Sequence, residues 1–295
     1  SGWKISATAT GENVDSGNTV AYGYGIKGYV NIYKYTNNEW VKKLTVIGSN
    51  VSKYFGDSVC ISRDGITVAM ASPKSSDNYG DVYIYKENQD TFVWEKVKVI
   101  DGATYENSQT NSLGFGKHPM DFNEDGTVFA LGSYKEEKVR IFNYSNDEWS
   151  LSHTISNTGS NQFGYSVSLN NTGTIIGIGT NSGTQFASVY QFDGTTWNNI
   201  VELESPLTVG FFTSNYGESV AISREGTRFA VGGSHGWTYQ AVHVYSSGKE
   251  LTTGSSTESS TESSTESSTD TTTTVFYKLF GELEHEPQPE PEPQP

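Results

Sequence analysis

Apolar residues along most of this chain alternate with polar or small ones in short runs. This period-two pattern belongs to strands whose two faces are packed differently. The clearest runs are "VNIY" (Val30 to Tyr33), "VYIY" (Val82 to Tyr85), "VRIF" (Val139 to Phe142), "VYQF" (Val189 to Phe192) and "VHVY" (Val242 to Tyr245). After the first four comes a tryptophan (Trp40, Trp94, Trp149, Trp197) and then a short apolar segment such as "KKLTVIG" or "EKVKVID".

A hairpin precedes each run, and it recurs. "FGDSVCISRDGITVAMASP" starts at Phe55, "FGKHPMDFNEDGTVFALGS" at Phe115, "FGYSVSLNNTGTIIGIGT" at Phe163 and "YGESVAISREGTRFAVGG" at Tyr216. The spacings are 115 − 55 = 60, 163 − 115 = 48 and 216 − 163 = 53 residues. A divergent copy, "GWKISATATGENVDSGNTVAYGYG", opens the chain with Gly2 in the place of Gly56. Asp-Gly, Glu-Gly or Thr-Gly closes each hairpin turn, where glycine adopts positive φ without steric cost. The first hairpin strand carries Val59 and Ile61, Val167 and Leu169, or Val220 and Ile222 on one face. Small residues (Cys60, Ser168, Ala221) occupy the other face, as the crowded inner edge of converging sheets requires. Asp121 falls at the Cys60 position and is expected to face a central channel. His118-Pro119 adds a residue to the third copy, which predicts a bulge.

Each unit therefore holds four short strands, called a to d. Every small sheet has two apolar faces and needs a neighbour on both sides. Four-stranded units repeating at roughly 50 residues specify an all-β fold, a β-propeller of five blades. The blades are placed at 1–50, 51–110, 111–158, 159–208 and 209–250, within a propeller spanning 1–250. Residues 251–274 form a Ser/Thr/Glu low-complexity insertion, 275–284 supply the missing d strand, and 285–295 are a Pro-rich extended tail. The alternative is a propeller that ends near 250 with a tethered peptide after it. No helix is expected.

Charge and composition narrow the partners. A net charge of −15 argues against nucleic acid and against anionic membrane surfaces. No apolar run is long enough to span a bilayer, so no membrane insertion is expected. One cysteine, Cys60, excludes an internal disulfide. The five histidines have no ligand spacing, and neither a phosphate-binding loop nor a nucleophile elbow is present. "SRDG" resembles a sialidase box only superficially, and one carboxylate, Asp121, is not a catalytic pair. No catalytic residue and no enzymatic activity are expected. Asn50, Asn143 and Asn170 head N-glycosylation sequons at predicted turns, and Thr257, Thr261, Thr265 and Thr269 are O-glycosylation candidates. Trp237, in a b–c loop outside the repeat, is a candidate ligand-contact aromatic.

The Phe55-Gly56 pair with Ala71-Ser72-Pro73 resembles the FG-GAP repeat, the blade unit of the integrin alpha-subunit head, and the FG-type propeller repeats of large surface and secreted proteins of marine microbes and algae. The resemblance covers residues 2 to about 250 and, with the last d strand, 275–284. It implies a propeller and, in its calcium-binding members, a D-x-D-x-D-G loop between strands a and b. Here those turns offer two carboxylates at most, and Arg63 and Arg224 stand where a ligand would be. The longer first loop, with Glu12, Asn13, Asp15 and Asn18, is the least poor calcium candidate, and no cofactor is expected. On this basis the sequence is read as a non-enzymatic extracellular or cell- or virion-surface module. It would be structural or adhesive, a glycoprotein acting through protein partners, self-assembly or glycans. A carbohydrate-binding, lectin-like propeller is the alternative, with a propeller glycoside hydrolase behind it.

Overall fold

The structure is a computed structural model. It describes residues 13–15, 19–24, 28–48, 55–72, 80–105, 119–157, 159, 162–181, 186–204, 216–235, 239–247 and 276–278. Within them lie five antiparallel sheets of four strands, each in simple sequence order. The first contains β1 (Asn13–Asp15), β2 (Thr19–Tyr24), β3 (Tyr29–Thr36) and β4 (Glu39–Ile47). The second contains β5 (Val59–Ile61), β6 (Thr67–Ser72), β7 (Asp81–Glu87) and β8 (Trp94–Asp101), followed by a single helical turn, α1 (Gly102–Tyr105). The third contains β9 (Met120–Phe122), β10 (Val128–Ser133), β11 (Lys138–Ser145) and β12 (Glu148–Ser156). The fourth contains β13 (Ser166–Leu169), β14 (Ile175–Gly179), β15 (Phe186–Phe192) and β16 (Trp197–Glu204). The fifth contains β17 (Ser219–Ile222), β18 (Arg228–His235), β19 (Tyr239–Ser247) and β20 (Phe276–Lys278). The first strands of successive sheets lie side by side, so the molecule is a β-propeller.

The strands form where the alternation lies, and the turns explain their limits. The c–d hairpins at Asn37-Asn38 and Asn146-Asp147 have positive φ at both central residues, the I′ geometry that matches strand twist. In the first four sheets the c–d ladder shifts register at one equivalent place: Ile32/Tyr33, Ile84/Tyr85, Ile141/Phe142 and Val189/Tyr190. That shared bulge corrects the sequence alignment of the fourth unit. Ala187 to Tyr190, not Val189 to Phe192, is the counterpart of Val82 to Tyr85. α1 is likewise a departure from the expected absence of helix. β20 pairs Phe276 with Ser247, the register in which Trp94 pairs with Glu87.

The core lies between sheets. Val30 and Ile32 of the first sheet pack with Phe55, Val59, Ile61, Val68 and Met70 of the second. Val82 and Ile84 pack in turn with Met120, Phe122, Phe129 and Leu131. The same positions repeat at the next two interfaces. Trp149 is 2% exposed and lies against Phe122, Phe129 and Tyr144, whereas Trp40 is 40% exposed. At the inner end the backbones nearly touch: a Cβ on Gly132 or on Gly179 would lie 2.0 Å from the carbonyl oxygen of Gly164 or Gly217 in the next sheet.

Candidate active site at the channel mouth

Four a–b turns gather at one end of the inner strands. Each closes by an i to i+3 bond into a positive-φ glycine: Gly65, Gly126, Gly173 and Gly226. The first turn residue points inward and caps strand b. Asn123 Oδ1 accepts the Thr127 and Val128 N–H groups at 2.9 Å each, and Asn170 Oδ1 accepts those of Thr174 and Ile175 at 2.9 Å each. The third residue is also spent on the turn: Asp64 accepts from Ser62 and the Ile66 N–H, and Asp125 from Thr127. Among the described residues no group of three or more His, Cys, Asp or Glu is placed to hold a metal ion.

The second turn residues are therefore the ones left to face outward: Arg63, Glu124, Asn171 and Arg224. Their backbones join the sheets in series. Asp64 N–H donates to Glu124 O at 3.1 Å, Glu124 N–H to Asn171 O at 3.1 Å, and Asn171 N–H to Arg224 O at 2.9 Å. Arg224 Nη2 also reaches Glu124 Oε1 at 2.5 Å, bridging the fifth sheet to the third over the turn of the fourth. This girdle puts two guanidinium groups and one carboxylate around the mouth.

Behind the girdle lies Asp121. An inner strand shows a free edge to the channel, and its unpaired N–H groups need acceptors. Asp121 Oδ2 accepts the Leu169 N–H of the next sheet at 2.8 Å, and Ser168 Oγ does the same for Ile222 N–H at 3.2 Å. Protein encloses the Asp121 carboxyl, although some of the residue stays accessible. Burial is the dominant influence and pushes its pKa up to about 6, against the opposing pull of the Leu169 N–H and the Arg63 guanidinium. A carboxyl poised there ionises near neutral pH, which suits a general base.

The other sequence-derived sites do not converge on this mouth. Asp15 lies in β1. Asn143 is mid-strand in β11 rather than in a turn, with an exposed side chain that donates to Ser152 Oγ at 3.4 Å. Asn170 is 4% exposed and its amide is fully engaged in the turn, so it is not a place for a glycan. Glu12, Asn50, Trp237, Thr257, Thr261, Thr265 and Thr269 lie outside the described residues. Sequence reasoning gives Arg63 and Arg224 no role beyond standing where a calcium ligand would be. Their shared turn position in the repeat was the signal that they would gather at one mouth.

No family model and no curated protein matches this sequence. Solved structures do match in fold. A candidate 6-phosphogluconolactonase from Bacteroides fragilis aligns with a TM-score of 0.53 at 11% identity, over 91% of this chain and 68% of that one. The periplasmic gluconolactonase of Pseudomonas aeruginosa aligns with a TM-score of 0.56 at 13% identity, over 82% and 70%. A Lactobacillus plantarum protein aligns with a TM-score of 0.57 at 11% identity, over 79% and 66%. The chain thus spans about two thirds of the length of these propellers. The likeness establishes the fold. It also counts against the expectation of a non-enzymatic adhesive module, because structures of the same fold bear lactonase names.

Proposed function

We propose that this chain is a propeller hydrolase that opens a small lactone at the channel mouth. The observation that carries the reading is Asp121, a channel-side carboxyl with a pKa of about 6 beneath a mouth bearing Arg63 and Arg224. As a carboxylate it takes a proton from a water that attacks the lactone carbonyl. The guanidinium groups stabilise the oxyanion that forms. The ring C–O bond then breaks, the leaving oxygen takes up the proton, and a hydroxy acid results. The fold shared with a gluconolactonase supports this chemistry, and the FG-GAP resemblance accounts only for the scaffold. The test is hydrolysis of δ-gluconolactone followed by base uptake at fixed pH near 6.5, corrected for the spontaneous rate. Acceleration that disappears in Asp121→Asn supports the reading. A wild-type rate equal to buffer, or an Asp121→Asn rate equal to wild type, overturns it.

A further inference from the structure

The bulge shared by the c–d ladders brings two side chains together in the third sheet. Neighbours along a regular strand point to opposite faces. A bulge adds one residue to the outer strand and re-aims its side chain. The extra residue and the one after it are Lys43 and Leu44, Val97 and Lys98, and Ile200 and Val201 in the first, second and fourth sheets. In the third sheet they are Ser152 and His153. Ser152 Oγ lies 2.6 Å from His153 Nδ1. The other ring nitrogen is held from the fourth sheet. His153 Nε2 lies 3.1 Å from the carbonyl oxygen of Thr195, which can only accept, so Nε2 carries the proton of the neutral ring. Nδ1 is then the acceptor, and the Ser152 hydroxyl donates to it. The ring also packs edge-on against Phe192, with centroids 5.0 Å apart. Asn143 Nδ2 donates to Ser152 Oγ at 3.4 Å.

We infer that Ser152 is an activated nucleophile, with His153 as its general base, and that it takes acyl groups from aryl esters. Nucleophile and base are within hydrogen-bond reach, and a third group, the Thr195 carbonyl, fixes the tautomer of the base. The fold does not require the pair, because three other sheets make the same bulge with Lys, Leu, Val or Ile there. It is also a separate site: β12 is the outer edge of the sheet whose inner edge, β9, carries Asp121. In the reaction Ser152 Oγ attacks the ester carbonyl while its proton passes to His153 Nδ1. The Thr195 carbonyl accepts from the imidazolium that forms. Asn143 brings an amide donor to the oxyanion. Ser152 is exposed, and one amide in an open site stabilises an oxyanion weakly, so the leaving group must be a good one. An aryl oxide meets that need, and Phe192, itself packed on Trp197, gives its ring an apolar flank. The C–O bond to the aryl group breaks, the aryl oxygen takes the proton from His153, and an acyl ester of Ser152 remains. Water then attacks that ester with His153 again as base. The carboxylic acid leaves and the serine is restored.

The test treats the full-length protein with a fluorophosphonate, which phosphonylates activated serines, and maps the adduct by mass spectrometry of a digest. The adduct is expected on the peptide that carries Ser152. His153→Gln is expected to slow its formation at least about tenfold, and to slow hydrolysis of 4-nitrophenyl acetate by a similar factor. Ser152→Ala is expected to abolish that adduct and to bring 4-nitrophenyl acetate hydrolysis down to the level of His153→Gln or below. Wild-type protein with no adduct at Ser152 overturns the inference, whatever the variants do. An adduct that forms in His153→Gln at the wild-type rate overturns it as well, because Ser152 is then an ordinary surface hydroxyl. So does Ser152→Ala that hydrolyses 4-nitrophenyl acetate as fast as wild type.

Discussion

Arg224 of the fifth sheet lies 2.5 Å from Glu124 of the third, reaching over the turn that carries Asn171. Arg224 is 55% exposed in its side chain and Glu124 33%, so water and salt screen the pair. Its removal should leave stability within about 1 kcal/mol of wild type. Its effect on turnover should be larger, because a guanidinium beside a developing oxyanion acts in the transition state. Arg224→Ala is expected to lower kcat/KM for lactone hydrolysis by at least about tenfold, with little change in urea midpoint. A large stability loss with unchanged kcat/KM would make the contact structural instead.

Asp121 couples stability and activity in opposite directions with pH. Its pKa in the folded protein is about 6, above the ordinary value of 3.8, so the folded state holds the proton more tightly than the unfolded one. The contribution to stability is therefore full below pH 4 and is lost as pH rises through about 6. Over that window the loss is on the order of 3 kcal/mol. Activity that needs the carboxylate rises over the same range. In Asp121→Asn the amide oxygen still accepts the Leu169 N–H and nothing titrates. Urea melts should show this variant stabilised at pH 7.5 and near wild type at pH 4, with hydrolysis lost at both. A stability difference that does not change with pH would show that Asp121 titrates normally.

The scaffold was legible because its signals are local and repeated. An Asp-Gly or Thr-Gly turn, a period-two strand and a trailing Trp recur at fixed offsets. The fourth c strand was misplaced by two residues because alternation continues through Val189, Gln191 and the neighbouring aromatics, and periodicity alone cannot position a bulge. Asn170 looked like a glycan site because a sequon is a statement about three letters. Its place as the inward first residue of a turn is set by the two strand N–H groups it caps. The mouth was the least legible part. Arg63, Glu124 and Arg224 lie in different units, and only the ring of sheets brings Arg224 to Glu124.

The tryptophans that open the d strands separate packing from ligand contact. Trp149 is 2% exposed against Phe122 and Phe129, while Trp40 is 40% exposed beside Tyr35. Trp149→Ala should cost about 3–5 kcal/mol through the cavity it leaves, and Trp40→Ala less than about 1.5. Denaturant unfolding of both variants measures this. Equal losses would mean that the repeat position, not burial, sets the energetics.

Gly179 tests how closely the sheets approach. A Cβ there would lie 2.0 Å from Gly217 O and 2.3 Å from Ser166 Oγ, and Ser166 Oγ itself donates to Gly217 O at 2.8 Å. The carbonyl belongs to the backbone of the next sheet and cannot rotate away, so the two sheets must part. Gly179→Ala is expected to cost about 2–4 kcal/mol. Gly194, in the c–d turn of the same sheet, is the control. It has φ +102° and nothing within 4 Å of its Cβ position, so Gly194→Ala pays only for backbone strain, about 1–2 kcal/mol. Urea melts of the two variants decide between them. If Gly194→Ala proves the more damaging, backbone conformation outweighs inter-sheet contact, and the close packing of the inner hairpins does not hold the propeller together.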